Sequence, residues 1–247
     1  MATARLTRTL STSGAATGAV VGTICMAAGW SWGVLLLSLF VSASALSRMG
    51  EKEKAARTRS VVEKGGERDA AQVLANGGVF AAAALAHLAY PSTVWLAVGA
   101  GAIAASTADT WATEIGTLAG TDPVAILSGR RVPAGTSGAV SLRGSLAGIA
   151  GALFIAAEAT FARWPVAFAA VAVGGIAGSL ADSLLGATLQ TRRWCDVCAV
   201  ATERLNHTCG TPTRFAGGVA GFDNDAVNAV CSGVGALVAL GLTRVAG

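Results

Sequence analysis

The sequence predicts an all-α fold, a polytopic transmembrane helix bundle of about seven helices with an internal two-helix repeat. Three observations predict it: the composition, the spacing of the apolar runs and a duplicated acidic motif. Of the 247 residues, 53% are hydrophobic and only 13% are charged, whereas a soluble domain usually carries about 25% charged residues. So few charges indicate a chain that resides in lipid. Residues 1–247 are interpreted as a single integral membrane domain.

Seven apolar runs, separated by glycine, proline or polar segments, are predicted to be helices. Glycine, alanine, serine and threonine dominate these runs, and such small residues let transmembrane helices approach one another closely. The approximate helix ranges are 11–28, 30–46, 72–90, 92–119, 145–161, 165–190 and 225–245.

The basic residues predict how the bundle lies in the membrane. If the N-terminus is cytoplasmic, then residues 1–10 and the loops 47–71, 120–144 and 191–224 are cytoplasmic as well. These segments hold 16 of the 18 lysines and arginines. The positive-inside rule therefore predicts a cell-membrane protein with its N-terminus in the cytoplasm and its C-terminus outside.

The repeat places one carboxylate in each of two apolar runs. Residues 101–110 and 174–183 match at six of ten positions, and the matches include Asp109 and Asp182. A charge at membrane depth is costly, normally faces the bundle interior and marks a functional site. Both aspartates lie about 17 residues from the outer start of their helices, which puts them at similar depth in the cytoplasmic third of the membrane. The duplication predicts one site formed by both acids, with buried interhelical hydrogen bonds as the alternative.

Further oxygen ligands are predicted at the same depth or nearer the cytoplasm. Mg²⁺ is usually bound by one or two carboxylates together with waters and substrate phosphates. We therefore predict Mg²⁺ at Asp109 and Asp182, with Glu114 or Asp225 as additional ligands; Glu114 could instead serve an interhelical hydrogen bond. The predicted polar neighbours of these acids are Ser183, Asn224 and Asn228. The two asparagines, at the start of the last helix, could instead cap that helix.

Basic and small residues at the same membrane face predict an anion site. The backbone amides of Thr136 and Ser137 lie in a glycine-rich loop, and Arg143 comes just before the fifth predicted helix; such groups bind phosphate. Arg68 and Asn76, eight residues apart, are predicted to face the same mouth. The alternative is that the loop arginines contact anionic lipid headgroups. Such contacts would also explain the net charge of +4, so no nucleic-acid partner is predicted. No Walker motif or G-x-G-x-x-G motif supports a soluble nucleotide-binding fold.

Four candidate zinc ligands share the loop 191–224. Cys195 and Cys198 form a C-x₂-C pair, and His207 and Cys209 follow. Three thiolates and one imidazole suit a structural Zn²⁺ site. A reduced cluster without metal is the alternative, because a disulfide is not expected on the cytoplasmic side.

Several motifs together resemble the domain-of-unknown-function family ninety-two, the family of transmembrane protein nineteen and phytyl-phosphate kinase. The resemblance runs nearly from end to end of the chain. It rests on residues 10–15, 72–77, 108–116, 133–141, 178–190 and 224–228.

This resemblance implies a membrane-embedded transferase, a Mg²⁺-dependent prenyl-phosphate kinase. The enzyme would transfer a phosphoryl group from a nucleoside triphosphate, CTP or ATP, to an isoprenyl monophosphate such as phytyl phosphate. Asp109, Asp182 and Arg143 would then be catalytic. The residues expected to bind substrate or nucleotide are Arg68, Asn76, Thr136, Ser137, Ser183, Asn224 and Asn228. A transporter coupled to protons or cations through Asp109 and Asp182 is the alternative function, because repeats and acids at membrane depth also occur in that class.

Overall fold

The computed structural model describes residues 9–63 and 66–246, and most of these residues are helical. Seven of the helices in the described ranges have 17 or more residues, and one short charged helix lies between the second and third of them. In chain order they are α1 (Thr12–Ala28), α2 (Trp30–Arg48), α3 (Glu51–Thr58), α4 (Ala70–Ala89), α5 (Thr93–Leu118), α6 (Leu142–Phe161), α7 (Phe168–Thr188) and α8 (Asn224–Ala246).

Two small antiparallel sheets, which the sequence did not predict, lie in the loops between helices. The first pairs β1 (Val124–Ala125) with β2 (Ala139–Val140). The second contains β3 (Arg192–Cys195), β4 (Val200–Thr202) and β5 (Arg214–Gly217), in the order β4-β3-β5. Both sheets escaped prediction because strands of two to four residues are too short to show a hydrophobic alternation.

Five of the helices, α2, α4, α6, α7 and α8, are long and apolar enough to cross a membrane, judged by length and composition within the described residues. The shorter α1 has 17 residues, and α5 has 26 residues but is not one of the five. The prediction of a helical membrane protein is therefore confirmed in this coarser form, whereas the count of seven membrane-crossing helices is not.

Two helices begin at residues other than those predicted, one because of a capping side chain and one because of a turn at a proline. Helix α6 begins three residues before the predicted start, because the Ser141 side chain accepts a hydrogen bond of 3.1 Å from the Gly144 amide and so caps the helix. Helix α7 begins three residues after Pro165. Arg163 has φ +56° and the Trp164 amide donates to the Ala159 carbonyl, so this tight turn ends α6 and delays α7.

Helix α5 lies at the centre of the bundle and packs against α4, α6, α7 and α8. Every residue of α5 from Gly99 to Ala108 is buried. Most of these residues are alanine or glycine, which let the neighbouring helices approach closely. An aromatic cluster stabilises the core away from the long loops: the Trp32 ring lies 5.0 Å from the Phe80 ring and 4.6 Å from the Trp164 ring, centroid to centroid. The two aspartates on α5 and α7 therefore lie between this apolar core and the loops.

Candidate functional site

A cavity of about 800 Å³ lies where the helices meet the loops. Each of the three loops predicted to be cytoplasmic contributes to its wall, and so does each of the helices α4 to α8. The cavity therefore collects side chains from segments that are far apart in the sequence at one end of the bundle. The residues predicted from the sequence that line it are Arg68, Asn76, Asp109, Glu114, Thr136, Ser137, Asp182, Ser183, Asn224, Asp225 and Asn228.

The carboxyl groups of Asp109 and Asp182 both line the cavity and lie close enough to interact with each other. The Oδ1 atom of Asp182 is buried and has no hydrogen-bond partner among the residues that the structure describes. Two ionised carboxylates in contact repel each other strongly. The pair therefore requires a proton or a cation between its oxygens.

The oxygen-rich surroundings of this pair fit a hard divalent cation. Asp225, which is only 8% exposed, lies in the first turn of α8 and lines the cavity together with Ser183 and Thr113. Carboxylate and hydroxyl oxygens are the ligands that Mg²⁺ takes from proteins, usually with waters in the remaining positions. The donor set at Asp109, Asp182 and Asp225 therefore suits Mg²⁺, and the buried Asp182 oxygen without a hydrogen-bond partner fits a residue that would hold such an ion.

Glu114, the fourth predicted metal ligand, already has partners. Lys54 of α3 forms an ion pair with Glu114 Oε2, and the Ser47 hydroxyl donates a hydrogen bond of 2.5 Å to Oε1. Lys54 also donates to the Leu46 carbonyl at 2.7 Å. Both carboxylate oxygens of Glu114 are thus engaged, so this residue joins α3 to α5 in the structure rather than offering a free ligand.

Arg68 supplies positive charge at the cavity wall. Its guanidinium donates to Ser47 Oγ at 2.8 Å and to the Ala43 carbonyl at 3.3 Å. Burial lowers the pKa of Arg68 from its usual value and the charge of Glu114 opposes this shift. Arginine nevertheless stays protonated in proteins, because its pKa in water lies far above neutral pH. The side chain therefore brings a permanent cation to the cavity.

Two further basic residues differ in their position relative to the cavity. Arg193 of β3, which the sequence did not predict as a site residue, lines the cavity, and its guanidinium donates to Oγ1 and the carbonyl of Thr213 at 2.7 and 2.6 Å. Arg143, which was predicted to be catalytic, is exposed and is not among the lining residues. Its guanidinium instead donates to the Ala119 carbonyl at 3.4 Å. The structure places Arg143 in the first turn of α6, whereas it was predicted to lie before that helix, and the direction of its side chain could not be predicted from the sequence.

The loop with Thr136 and Ser137 lines the cavity, but its polar groups already make internal contacts. The Thr136 amide and hydroxyl both donate to the Pro133 carbonyl, at 3.2 and 2.7 Å. This amide is therefore engaged in a turn, and anion binding by this loop stays a prediction. The Ser137 hydroxyl donates a hydrogen bond of 2.5 Å to Glu203.

Glu203 is a cavity residue that the sequence did not predict. Its Oε1 accepts hydrogen bonds from Ser137 Oγ and, at 2.8 Å, from Gln190 Nε2. Burial raises the pKa of Glu203, while the Ser137 hydrogen bond acts in the opposite direction. No local pattern marks this residue, because its partners come from separate loops that meet only in the folded protein.

The four predicted zinc ligands converge outside the cavity. The candidate ligand atoms of Cys195, Cys198, His207 and Cys209 all lie within 4.8 Å of one another. They belong to the β3–β5 sheet and its loops, the same unit that carries Arg193 and Glu203 to the cavity.

The fold and the cavity define a class: a helical integral membrane protein with a polar, acid-containing cavity at one end of its bundle. The chain belongs to the family described as Integral membrane protein DUF92, whose model matches residues 1–236. This confirms the resemblance found in the sequence.

Relatives in plants, archaea and cyanobacteria share much of the chain. Protein PGR of Arabidopsis thaliana is 32% identical over 252 residues, which cover 90% of this chain and 85% of the plant protein. An uncharacterized membrane protein of Methanocaldococcus jannaschii is 36% identical over 66% of this chain and 67% of its own length. One from Synechocystis sp. is 34% identical over 70% and 69%, respectively. No solved structure shows a significant match to this chain.

Proposed function

We propose that this protein is a membrane-embedded prenyl-phosphate kinase that transfers the γ-phosphoryl group of CTP or ATP to an isoprenyl monophosphate such as phytyl phosphate. The observation that carries the proposal is a single cavity lined by an acid pair, half-buried basic groups and several apolar side chains. The family resemblance implies the same activity.

The apolar side chains of the cavity suit an isoprenyl chain. Ile149 of α6 and Ile176 and Leu180 of α7 line the cavity on one side, beside Gly148. Ile149 and Leu180 are 40% and 53% exposed, so their side chains are accessible to a lipid tail. A lipid tail could therefore enter between α6 and α7 while its phosphate stays at the acid pair.

The polar end of the cavity suits phosphoryl transfer between two anionic molecules. A phosphate monoester has a second pKa of about 6, so the acceptor is largely ionised at neutral pH and needs no strong general base. An oxygen of the acceptor phosphate would attack the γ-phosphorus, and the nucleoside diphosphate would leave with the bridging oxygen. Such a reaction needs mainly positioning and charge compensation. Arg68 and Arg193 supply positive charge at this wall.

The acids would hold Mg²⁺ rather than act as bases. Asp109 and Asp182 provide adjoining carboxylates, and Asp225 lies on the neighbouring helix. When bound there, Mg²⁺ would neutralise charge on the donor phosphates. Ser183, Asn224 and Asn228 offer hydroxyl and amide groups that can orient the nucleotide.

The cavity would face the cytoplasm, where nucleoside triphosphates are available. All three loops that line it belong to the basic segments that the positive-inside rule assigns to the cytoplasm. The proposal therefore includes a cytoplasmic N-terminus, an outer C-terminus and seven helices in the cell membrane.

A transporter would need the acid pair to be reached alternately from both sides of the membrane. On the side of Asp109 away from the loops, α5 is buried from Gly99 to Ala108, which favours access from one side only. A Thr113→Cys variant in sealed vesicles tests this point. Labelling by a membrane-impermeant thiol reagent from the loop side alone supports the kinase, and labelling from both sides supports the transporter.

The direct test of the kinase uses purified protein, Mg²⁺, radiolabelled CTP or ATP, and phytyl, farnesyl or geranylgeranyl phosphate. We expect Asp109→Asn and Asp182→Asn to lower diphosphate formation by about 100-fold or more, in line with removal of a group that stabilises transition-state charge. Asp122→Asn is the matched control, because the Asp122 side chain is 63% exposed and outside the cavity lining. Wild-type rates in both cavity variants, or no product with any donor and acceptor, would overturn the proposal.

A further inference from the structure

The candidate ligand atoms in the loop after α7 all lie within 4.8 Å of one another, and two of their separations match those of a tetrahedral metal site. Cys195 Sγ lies 3.7 Å from Cys209 Sγ, and His207 Nδ1 lies 3.3 Å from the same sulfur. Around a tetrahedral Zn²⁺ with Zn–S bonds of about 2.3 Å and a Zn–N bond of about 2.0 Å, two sulfurs lie about 3.8 Å apart and a sulfur and a nitrogen about 3.5 Å apart. The sulfurs are too far apart for a disulfide, whose S–S bond is about 2.05 Å.

The backbone shapes two turns that present these ligands. Cys195 ends β3 opposite Val200, and the turn between them contains Cys198 and then Ala199, which has φ +53°. A non-glycine residue at positive φ is uncommon and indicates a conformation imposed by its surroundings. Here it turns the chain back immediately after the second cysteine.

The second turn brings the other two ligands. The His207 amide donates to the Thr211 carbonyl at 2.9 Å, and the Gly210 amide donates to the His207 carbonyl at 2.8 Å, so Cys209 lies at the tip of a tight turn. His207 is only 6% exposed, and its Nε2 has no hydrogen-bond partner within residues 9–63 and 66–246. Burial of an imidazole with so few partners is costly, and coordination of Nδ1 would offset the cost.

We propose that Cys195, Cys198, His207 and Cys209 bind one structural Zn²⁺ that holds the β3–β5 sheet as part of the cavity wall. This site is separate from the acid pair and does not depend on the proposed kinase activity. The Cys₃His donor set and its closed, four-ligand geometry are those of structural zinc sites and leave no open position for a substrate.

The sheet connects the zinc site to the cavity through short covalent paths. Arg193 lies two residues before Cys195 on β3, and its guanidinium is held by Thr213, four residues after Cys209. Glu203 follows β4 directly, and its amide donates to the Val61 carbonyl at 2.9 Å. A metal ion that ties the two turns together therefore fixes both cavity residues in place.

Metal analysis of the protein purified without chelators tests the proposal. We expect one zinc per chain in the wild type and at least a tenfold lower zinc content in Cys198→Ser and Cys209→Ser. Cys25→Ala is the matched control, because Cys25 is buried in α1, and it should retain the metal. Absence of zinc from the wild type, or iron in its place, would overturn the proposal.

Chelation of the wild-type protein keeps the test independent of whether the variants fold. In detergent, a strong zinc chelator should make three more cysteines reactive to alkylation, while Cys25 and Cys231 stay buried in α1 and α8. Protease cleavage within residues 191–224 should increase at least fivefold and return to its starting rate when Zn²⁺ is added back. Alkylation and cleavage that do not change on chelation would contradict the assignment, whatever the kinase assay shows.

Discussion

Gly101 of α5 and Gly174 of α7 approach the same atom, the carbonyl oxygen of Gly235 in α8. A Cβ added at Gly101 would lie 2.3 Å from this oxygen, and one added at Gly174 would lie 2.7 Å from it. The two glycines occupy equivalent positions of the sequence repeat, so the repeat is also a repeat of helix packing around α8. Each glycine precedes an aspartate by eight residues, about 12 Å along a helix, and this equal spacing from a common contact brings the two carboxyl groups together.

Gly101→Ala is therefore expected to disturb both packing and activity. The added methyl group cannot fit 2.3 Å from a backbone oxygen, so α5 and α8 must separate, at a cost of about 1–3 kcal/mol in the free energy of unfolding. Thermal unfolding in detergent should shift to lower temperature, and diphosphate formation should fall because Asp109 moves relative to Asp182.

Gly233→Ala is the matched control for this variant. No atom lies within 4 Å of the position that a Cβ would take at Gly233, which also lies in α8. Its unfolding temperature and activity should match the wild type. Equal losses in Gly101→Ala and Gly233→Ala would show that the close contact with Gly235 does not position the acids.

The sequence predicted the helices and the acid pair because both leave a local signal. Apolar runs bounded by glycine and proline predicted the long helices, and the repeat around Asp109 and Asp182 singled out two acids that the fold brings into contact. The short strands of the loops left no such signal, although the spacing of the cysteines and His207 did predict a metal site there. The β3–β5 sheet is stabilised by the contacts of short strands and, on our proposal, by a metal ion, and neither has a hydrophobic period.

Lys54 and Glu114 form the ion pair that attaches α3 to α5. Their side chains are only 10% and 21% exposed, and removal of one partner from a buried pair leaves an uncompensated charge. We expect Lys54→Met to lower the free energy of unfolding by about 2–3 kcal/mol. Breaking a fully buried pair costs about 3–5 kcal/mol, and the loss here should be smaller because Ser47 still donates a hydrogen bond to Glu114. Thermal unfolding in detergent at fixed lipid content measures this loss.

The double variant Lys54→Met/Glu114→Gln tests whether the unpaired charge causes the loss. It should recover most of the stability that Lys54→Met loses, because no unpaired charge remains. The two single variants and the double variant together give the coupling free energy between Lys54 and Glu114. The exposed pair of Arg214 and Asp196, more than 60% exposed on both sides, gives the comparison: Arg214→Gln should cost under about 1 kcal/mol. Additive losses from Lys54→Met and Glu114→Gln would contradict this account.

The buried Glu203 predicts a stability component that depends on pH. Because burial raises its pKa above the ordinary value of 4.5, the folded protein binds this proton more tightly than the unfolded chain does. The resulting stabilisation is complete below pH 4.5 and is lost as the pH rises through the folded-state pKa. In Glu203→Gln the amide oxygen can still accept from Ser137 and Gln190 without titrating. The unfolding temperature of this variant should therefore rise relative to the wild type as the pH increases above 4.5.

Ser137→Ala provides the control for that assignment. The hydroxyl of Ser137 opposes the effect of burial on the pKa of Glu203, so its removal should move the pH-dependent loss of stability to higher pH. A difference between Glu203→Gln and the wild type that is constant from pH 4 to pH 8 would show that Glu203 does not titrate in this range.

Arg68 and Arg143 show which features of the site the sequence predicts and which depend on the fold. Both belong to segments that were predicted to be basic loops next to helix starts, and both were predicted to contact phosphate. Only Arg68 lines the cavity, whereas Arg143 is exposed and contacts the Ala119 carbonyl. The direction of a side chain at the end of a helix depends on the packing of the neighbouring helices, which the sequence of the loop does not encode.

Substitution of each arginine by lysine and by glutamine tests this difference. We expect Arg143→Gln to change kcat/KM less than about threefold, because an exposed charge is screened by salt. Arg68→Gln should lower kcat/KM by at least about 10-fold, since a charge-assisted contact to phosphate contributes about 1.5–3 kcal/mol. Arg68→Lys keeps the charge but loses the forked guanidinium, so it should restore part of the activity if Arg68 contacts a phosphate. If Arg68 only ties α2 to the loop, through Ala43 and Ser47, Arg68→Lys and Arg68→Gln should lower the unfolding temperature and leave KM for the nucleotide unchanged.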